Sequence, residues 1–277
     1  MLLLNNQPVK FFRFNGGELQ VNVEKSQEER ATLTWKPTTS DDIIMLLMTV
    51  NALQHQGFRD IIIDVLYLPY GRQDRVCSPG EAYSLEVIVR LLDGLNVTDI
   101  HFWDLHNSGV TLELFNNTYV YETEIYDIFA RYKILDNFDL YNLILCAPDV
   151  GARKKVNAIV NEFDLSPAIH FDKDRCPDTG MIHGIQPNKY NREFDGFNIL
   201  VIDDICDGGR TFIEVAKELR KNTSENLYLY VTHGIFSKGI AELMVYYKHI
   251  FCHHVLDDSK YQSDENLTIL REFPNVS

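Results

Sequence analysis

The chain has 277 residues, with 26 Lys and Arg against 40 Asp and Glu, for a formal net charge of −14 at pH 7. A composition of 45% hydrophobic and 24% charged residues is that of a globular protein able to bury a sizeable core. So acidic a surface repels a phosphate backbone, which argues against a general nucleic-acid binder but leaves room for a local nucleotide site. No apolar run approaches the roughly 20 residues of a membrane span. Met1-Leu2-Leu3-Leu4 is stopped at once by Asn5 and Asn6 and reads as a first buried strand rather than a leader. The five cysteines are odd in number and scattered, without C-x-x-C spacing, which points away from disulfides and structural zinc and toward a reducing, cytoplasmic setting.

Thr39-Ser40-Asp41-Asp42 supplies capping side chains ahead of an apolar helix over 43–53. Residues 60–68, DIIIDVLYL, are β-rich, and 83–95 has helical spacing with Leu85, Val89 and Leu92 on one face. A strand follows over 99–103. Polar residues over 132–139 then separate two similar units, so two domains are expected, 1–134 and 135–277. The second has strands over 142–147 and 168–171, with a helix over 152–163 between them. Its three cations Arg153, Lys154 and Lys155 read as a solvated face outside any site. Further strands over 199–202 and 227–231 flank a glycine turn and a helix over 211–221. Alternating strands and helices predict an α/β protein whose mainly parallel sheets are covered on both faces.

The most informative stretch is Asn198 to Phe212, NILVIDDICDGGRTF. An apolar strand runs into Asp203 and Asp204, whose carboxylates can accept hydrogen bonds from two ribose hydroxyls. Asp207, Gly208 and Gly209 form a turn before a helix, where backbone N–H groups and the helix dipole favour a phosphate. A bare D-G-G is more often an ordinary turn. The whole pattern, through Arg210 and Thr211, is similar to the phosphoribosyl-binding loop of the type I phosphoribosyltransferase fold.

Other segments narrow the resemblance. Pro69-Tyr70-Gly71-Arg72-Gln73-Asp74-Arg75 resembles the Y-x-R-Q-D-R segment of ribose-phosphate diphosphokinases. Asp104-Leu105-His106 resembles their D-L-H, and Ala147 to Gly151 their S-P-D-x-G. Lys173-Asp174-Arg175 resembles their K-x-R flexible loop, Thr232-His233-Gly234 their T-H-G, and Phe14 to Glu18 their F-S-D-G-E. These stand in family order over positions 14 to 234. The resemblance implies two tandem type I phosphoribosyltransferase-like domains with the active site between them. It implies Mg²⁺-dependent transfer of diphosphate from ATP to the anomeric hydroxyl of a ribose 5-phosphate unit. Lys173 and Arg175 would stabilise charge on the transferring group. Phe14, Glu18, Arg72, Gln73, Asp74 and His106 would bind ATP, with His106 and Asp149 at the metal. Asp203, Asp204, Asp207, Gly208, Gly209, Arg210 and Thr211 would bind the ribose phosphate. Because Phe14 and Glu18 would reach a neighbouring subunit's adenine, a homodimer or larger homo-oligomer is implied.

Each residue also has a structural reading. His106 could be a satisfied strand-end histidine, Arg72 and Asp74 an ion pair, Lys173 and Arg175 solvated charge, and Phe14 core packing. Cys252-His253-His254 reads as a strand next to a surface loop rather than a metal site. The chain also departs from the family pattern. It is short, lacks a few residues before Arg72, has Gly16 in place of an Asp, and reads Asp-Gly-Gly-Arg-Thr in the phosphate loop. Gly208 removes a hydroxyl and Arg210 adds a cation able to bridge two phosphates. In this the chain is similar to short, phage-type relatives that act on ADP-ribose for NAD synthesis, so ADP-ribose is the competing acceptor. An inactive regulatory subunit of the same family is the reading of another class.

Overall fold

The computed structural model describes residues 1–24, 29–175, 182–187, 194, 196–223 and 225–271. The chain divides into two compact units, Met1–Glu124 and the residues from Ile125 onward. The division thus precedes the expected boundary at 134/135. The helix Ile125–Tyr132 goes with the second unit, where the Phe129 ring meets that of Tyr230 at 4.6 Å.

The first unit runs β1 (Leu2–Leu4), β2 (Gln7–Pro8), β3 (Lys10–Arg13), β4 (Leu19–Asn22), β5 (Arg30–Trp35), α1 (Ser40–His55), β6 (Asp60–Val65), α2 (Ser84–Asp93), β7 (Asp99–Trp103), α3 (Ser108–Glu113) and β8 (Tyr119–Thr123). Its sheet has the order β2-β1-β5-β6-β7-β8, while β3 and β4 form a separate antiparallel hairpin. Strands β5 to β8 pair in parallel, and β1 is antiparallel to β5. Burial alternates along β6, sending Ile61, Ile63 and Val65 into the core, because successive strand residues face opposite ways. They share that core with Leu46, Val50 and Leu53 of α1 and with Leu85, Val89 and Leu92 of α2. Each such buried aliphatic side chain contributes about 1.5–3 kcal/mol. At the start of α1, Asp42 reaches back so that Oδ2 accepts the backbone N–H of Thr38 and of Thr39, each at 2.8 Å.

The second unit runs α4 (Ile125–Tyr132), β9 (Leu143–Ala147), α5 (Val150–Glu162), β10 (Ile169–Arg175), β11 (Ile182–Pro187), β12 (Asn198–Cys206), α6 (Arg210–Leu219), β13 (Leu227–Gly234), β14 (His249–Val255) and β15 (Leu267–Ile269). The sheet order is β11-β10-β9-β12-β13-β14-β15, parallel throughout except for the β10–β11 pair. Every residue of β9 is buried, as a strand covered on both faces requires. On α6, Phe212, Ile213, Val215, Ala216 and Leu219 are buried at helical spacing.

Two expectations change here. The strand expected over 168–171 extends to Arg175, so Lys173 lies on a strand, opposite Ile185 of β11, and not in a loop. Cys252, His253 and His254 are a strand, but one in the interior of the sheet rather than beside a surface loop. His254 and His253 are fully buried, and His254 lies 3.2 Å from the ring nitrogen of His233. Among the described residues no helix is long and apolar enough to cross a membrane.

Asp93, at the end of α2, holds the turn before β8. Its carboxylate accepts from the backbone N–H groups of Asn116 (3.2 Å), Asn117 (3.0 Å) and Thr118 (2.9 Å), and from the Asn117 side chain (2.9 Å). Burial alone would raise its pKa, but these donors outweigh burial and hold it below the usual carboxylate value. A depressed folded pKa gives stability that is present above the unfolded value of about 3.9 and lost as pH falls through the folded one. Asp93→Ala should cost about 3 kcal/mol at pH 7, since three amides lose a charged acceptor. The urea midpoint of the variant should be lower than the parent's at pH 7, and the gap should narrow below pH 4. A gap constant with pH would show that the charge on Asp93 is not what matters.

Candidate active site

In the second unit the chain leaves β9 through α5 to β10 on one side, and leaves β12 through α6 to β13 on the other. The connections diverge at the carboxyl ends of these neighbouring strands, which is where open α/β sheets form a crevice. Asp149 follows β9 directly and caps α5, accepting from the Ala152 N–H at 3.2 Å. Asp203 and Asp204 lie within β12 itself, which continues past the expected strand end at 202. Adjacent strand positions send their side chains to opposite faces. Asp204 Oδ2 meets Lys155 Nζ of α5 at 3.5 Å, with the side chains only 6% and 17% exposed.

Lys155 corrects the reading of Arg153-Lys154-Lys155 as one solvated face. Three consecutive helical residues sweep about 200° at 100° each. Ala152, Val156 and Ile159 mark the buried side of α5, and Lys155 stands next to that side while Lys154 is exposed. The carboxyl of Asp203 is pushed well above the usual carboxylate range by burial and by the charges of Asp204 and Asp149. The three carboxylates therefore crowd one end of the sheet, and Lys155 is the cation placed among them.

Downstream of β12, Gly209 caps α6 with φ 76°, and a Cβ there would press against Leu243. Glycine is thus required by conformation and by space. The first N–H groups of α6 have no carbonyl partner within the helix and face the loop. Asp207 accepts from Ser237: Ser237 Oγ donates to Oδ1 at 2.6 Å and Ser237 N–H to the backbone oxygen at 3.1 Å. Arg210 is turned away, with its side chain 83% exposed and its Nε donating to Glu214 at 2.8 Å. Gly208 has no positive φ. A Cβ there would lie 3.6 Å from Cδ and Cε of Lys238, so the stem of that lysine runs along the glycine. Lys155, Ser237 and Lys238 are absent from the residues expected at this loop. The last two lie three and four residues beyond Gly234, the end of Thr232-His233-Gly234 at the carboxyl end of the strand beside β12.

In the first unit, His106 and the segment Arg72-Gln73-Asp74 follow the adjacent parallel strands β7 and β6. Asp74 Oδ2 accepts from the Asn107 side chain at 2.7 Å, and a Cβ on Gly71 would come within 4.0 Å of the His106 Cβ. His106, Arg72 and Gln73 are exposed and Asp74 is half-buried. Asp104 is buried with φ 42°, while Leu105 N–H donates to Glu122 at 2.6 Å, which anchors the turn that presents His106. Phe14 and Glu18 sit at the tip of the β3–β4 hairpin. Phe14 is 54% exposed and meets Phe12 edge-on at 5.1 Å, so it does not serve core packing. At Gly16 the Glu18 carboxylate lies where a Cβ would stand, so a side chain there would require that flexible end to swing aside. The side chains of Lys173 and Arg175 lie outside the described residues.

The residues present fit a magnesium ion bound together with phosphate. Mg²⁺ prefers oxygen ligands and is held by one or two carboxylates plus substrate phosphates. Asp149 offers such an oxygen close to the carboxylates of Asp203 and Asp204, whereas His106 offers nitrogen, a poorer ligand for this ion. Among the described residues no group of three or more His, Cys, Asp or Glu is arranged to hold a metal without such help.

Residues 2–95 match the N-terminal domain of ribose phosphate pyrophosphokinase. The chain is 31% identical over 238 residues to the ribose-phosphate pyrophosphokinase of Pyrococcus furiosus, covering 84% of this chain and 80% of that one. It is 30% identical over 237 residues to the Thermococcus kodakarensis protein of the same name, covering 84% and 80%. Its fold is similar to that of phosphoribosylpyrophosphate synthetase from Mycobacterium smegmatis, with a TM-score of 0.77 and 17% identity over 95% of this chain and 85% of that one. The architecture is thus α/β, two tandem phosphoribosyltransferase-like domains with mainly parallel sheets. The chain belongs to the ribose-phosphate pyrophosphokinase family, whose members are ATP-dependent diphosphotransferases.

Carboxylate crowding has a measurable consequence. Asp203 holds its proton to a higher pH when folded than when unfolded, so the folded state binds more protons and stability falls as pH rises through that window. Asp203→Asn removes the repulsion. In EDTA at pH 7–8 the variant should melt a few degrees above the parent, on the order of 2–4 °C per kcal/mol for a chain of this size. A melting temperature at or below the parent's by calorimetry would refute the crowding.

Proposed function

We propose that the protein transfers the terminal diphosphate of ATP to the anomeric hydroxyl of ribose 5-phosphate. The observation that carries this reading is the end of β12: paired acids leading into a glycine turn and a helix N-terminus, at the sheet's switch point, in a chain of this family. Asp203 and Asp204 accept hydrogen bonds from the two ribose hydroxyls, with Lys155 holding Asp204 in place. The N–H groups over Gly208, Gly209, Arg210 and Thr211 take the 5-phosphate, helped by the helix dipole of about half a charge. Arg72, Gln73, Asp74 and His106 take ATP. The exposed Phe14 and Glu18 serve the adenine of a second copy, which makes the working form a homo-oligomer. Asp149 would help hold a magnesium ion bound with the triphosphate, and that ion would supply charge neutralisation.

In the reaction the anomeric oxygen bonds to the β-phosphorus of ATP, the bridge to the α-phosphorus breaks, and the anomeric proton is released. Charge on the transferring group and on departing AMP is offset by fixed cations, so catalysis is mainly positioning and electrostatics. Lys173 and Arg175 are assigned this task. Ribose 5-phosphate is taken as the acceptor ahead of ADP-ribose because the relatives are named for it, and Arg210, which could bridge a diphosphate, here reaches Glu214 instead of the loop.

Incubation with ATP, Mg²⁺ and ribose 5-phosphate should yield AMP and a 1-diphosphate in equal amounts, as read by mass spectrometry and ³¹P NMR. ADP with a sugar monophosphate product would overturn diphosphoryl transfer, turnover only with ADP-ribose would replace the acceptor, and no turnover with either would favour the regulatory reading. Lys173→Ala and Arg175→Ala should each lower kcat about a hundredfold or more, the scale of losing one transition-state donor, while the circular dichroism spectrum stays unchanged. Turnover within a few-fold of the parent in both would return these residues to plain surface charge.

A further inference from the structure

The phosphate loop over Asp207 to Thr211 has one acidic and one basic side chain. A phosphate monoester carries close to two negative charges near neutral pH. The loop meets it with neutral N–H groups and a partial helix dipole, but also with the carboxylate of Asp207. Its one basic side chain, Arg210, is spent on Glu214 at the surface. Backbone donors alone would leave the second charge of the ester facing Asp207.

A cation is available from the neighbouring turn. The backbone after β13 folds back on the loop: Ile235 and Phe236 N–H both donate to Cys206 O, at 2.9 and 3.0 Å, and Ser237 is joined to Asp207 twice. The turn is closed by Gly239 N–H donating to Phe236 O at 2.8 Å, and Tyr261 Oη donates to that same oxygen at 2.9 Å. Lys238, carried by this braced turn, lays Cγ, Cδ and Cε along Gly208 at 3.6–3.9 Å from where a Cβ would stand. Those are ordinary contact distances, so the stem lies beside the loop without needing a glycine there. Lys238 is exposed, so its ammonium group is open to a ligand at the loop.

Building on the function proposed above, we infer that Lys238 is an acceptor-binding residue that supplies to the 5-phosphate the positive charge that the loop itself lacks. The group it recognises is the 5-phosphate of the acceptor, a monoester with close to two negative charges near neutral pH. A charge-assisted hydrogen bond from an ammonium is stronger than one from a neutral donor, so much of the acceptor's affinity rests on this one side chain.

Lys238→Met keeps the stem against Gly208 and removes only the charge, and Lys238→Arg restores a cation. Binding of ribose 5-phosphate and of ATP to the full chain is measured separately by calorimetry, and kcat and KM are measured in the complete reaction. Lys238→Met should raise both Kd and KM for ribose 5-phosphate about tenfold, the value of one such bond, and leave Kd for ATP unchanged. Lys238→Arg should stay within about threefold of the parent, and inorganic phosphate should compete less well against the Met variant. Unchanged affinity for ribose 5-phosphate in Lys238→Met, or equal loss for both substrates, would overturn the assignment while leaving the reaction intact. A parent that binds ribose 5-phosphate but forms no diphosphate product would instead overturn the reaction and leave Lys238 as an anion-binding residue. No binding of ribose 5-phosphate to the parent would overturn both.

Discussion

Asp149, Asp203 and Asp204 share the carboxyl ends of two neighbouring parallel strands, with Lys155 placed among them. Like charges so close in partly buried surroundings are costly, and a fold that keeps them must gain from what they bind. Breaking a buried pair such as Lys155–Asp204 by removing one partner typically costs about 3–5 kcal/mol, because it strands the other charge. The pair is thus weak evidence of stabilisation but strong evidence of placement, since Asp204 is held at one position by an element that packs on its face of the sheet. Strand order explains why the carboxylates meet at all. β9 and β12 are neighbours in the sheet although two strands, β10 and β11, intervene in the chain. Only that reversal brings residues 149 and 203 to one edge.

The same edge governs the phosphate loop. β12 ends at Cys206, whose carbonyl accepts from two consecutive N–H groups of the chain leaving β13. The turn after β13 is thereby fastened to the turn after β12, and Ser237 and Lys238 become parts of the loop despite lying some thirty residues away in sequence. In the first unit an analogous fastening joins Asp74, after β6, to Asn107, after β7. Both units therefore tie together the loops of adjacent parallel strands, a construction that puts the residues proposed to bind substrate on short, braced segments.

What could be read from the sequence follows from how local each signal is. The strand 99–103 and the apolar face of Leu85, Val89 and Leu92 are periodic patterns, and the fold reproduces them. The end of β12 was set too early, because two acids look like the end of a strand although a parallel ladder pairing Asp203 with Val231 runs through them. Lys155 was misread because three basic residues in a row look like one face, whereas a helix turns the third toward the sheet. Lys238 was invisible for another reason. Its importance comes from contact with Gly208, and no spacing rule connects those positions. Resemblance to the family located the loop but not the residues peculiar to this chain.

Gly208 and Gly16 look alike in sequence, since each glycine stands where a relative has a larger polar residue, and each reads as a lost contact. In the folded chain neither position is simply empty. At Gly16 the Glu18 carboxylate folds over the turn into the space a Cβ would take, and at Gly208 the Lys238 stem lies in ordinary contact with where a Cβ would stand. In both cases a group from two or thirty residues away lies beside the glycine: at the hairpin tip a carboxylate, of the same charge as the Asp of the family pattern, and at the phosphate loop the stem of a lysine. A substitution by glycine in a binding loop is therefore best read with the question of what now lies against it. At Gly208 the answer proposed above is a cation beside the loop where the family pattern has a local hydroxyl, and a full charge forms a stronger hydrogen bond to a phosphate oxygen than a neutral donor does.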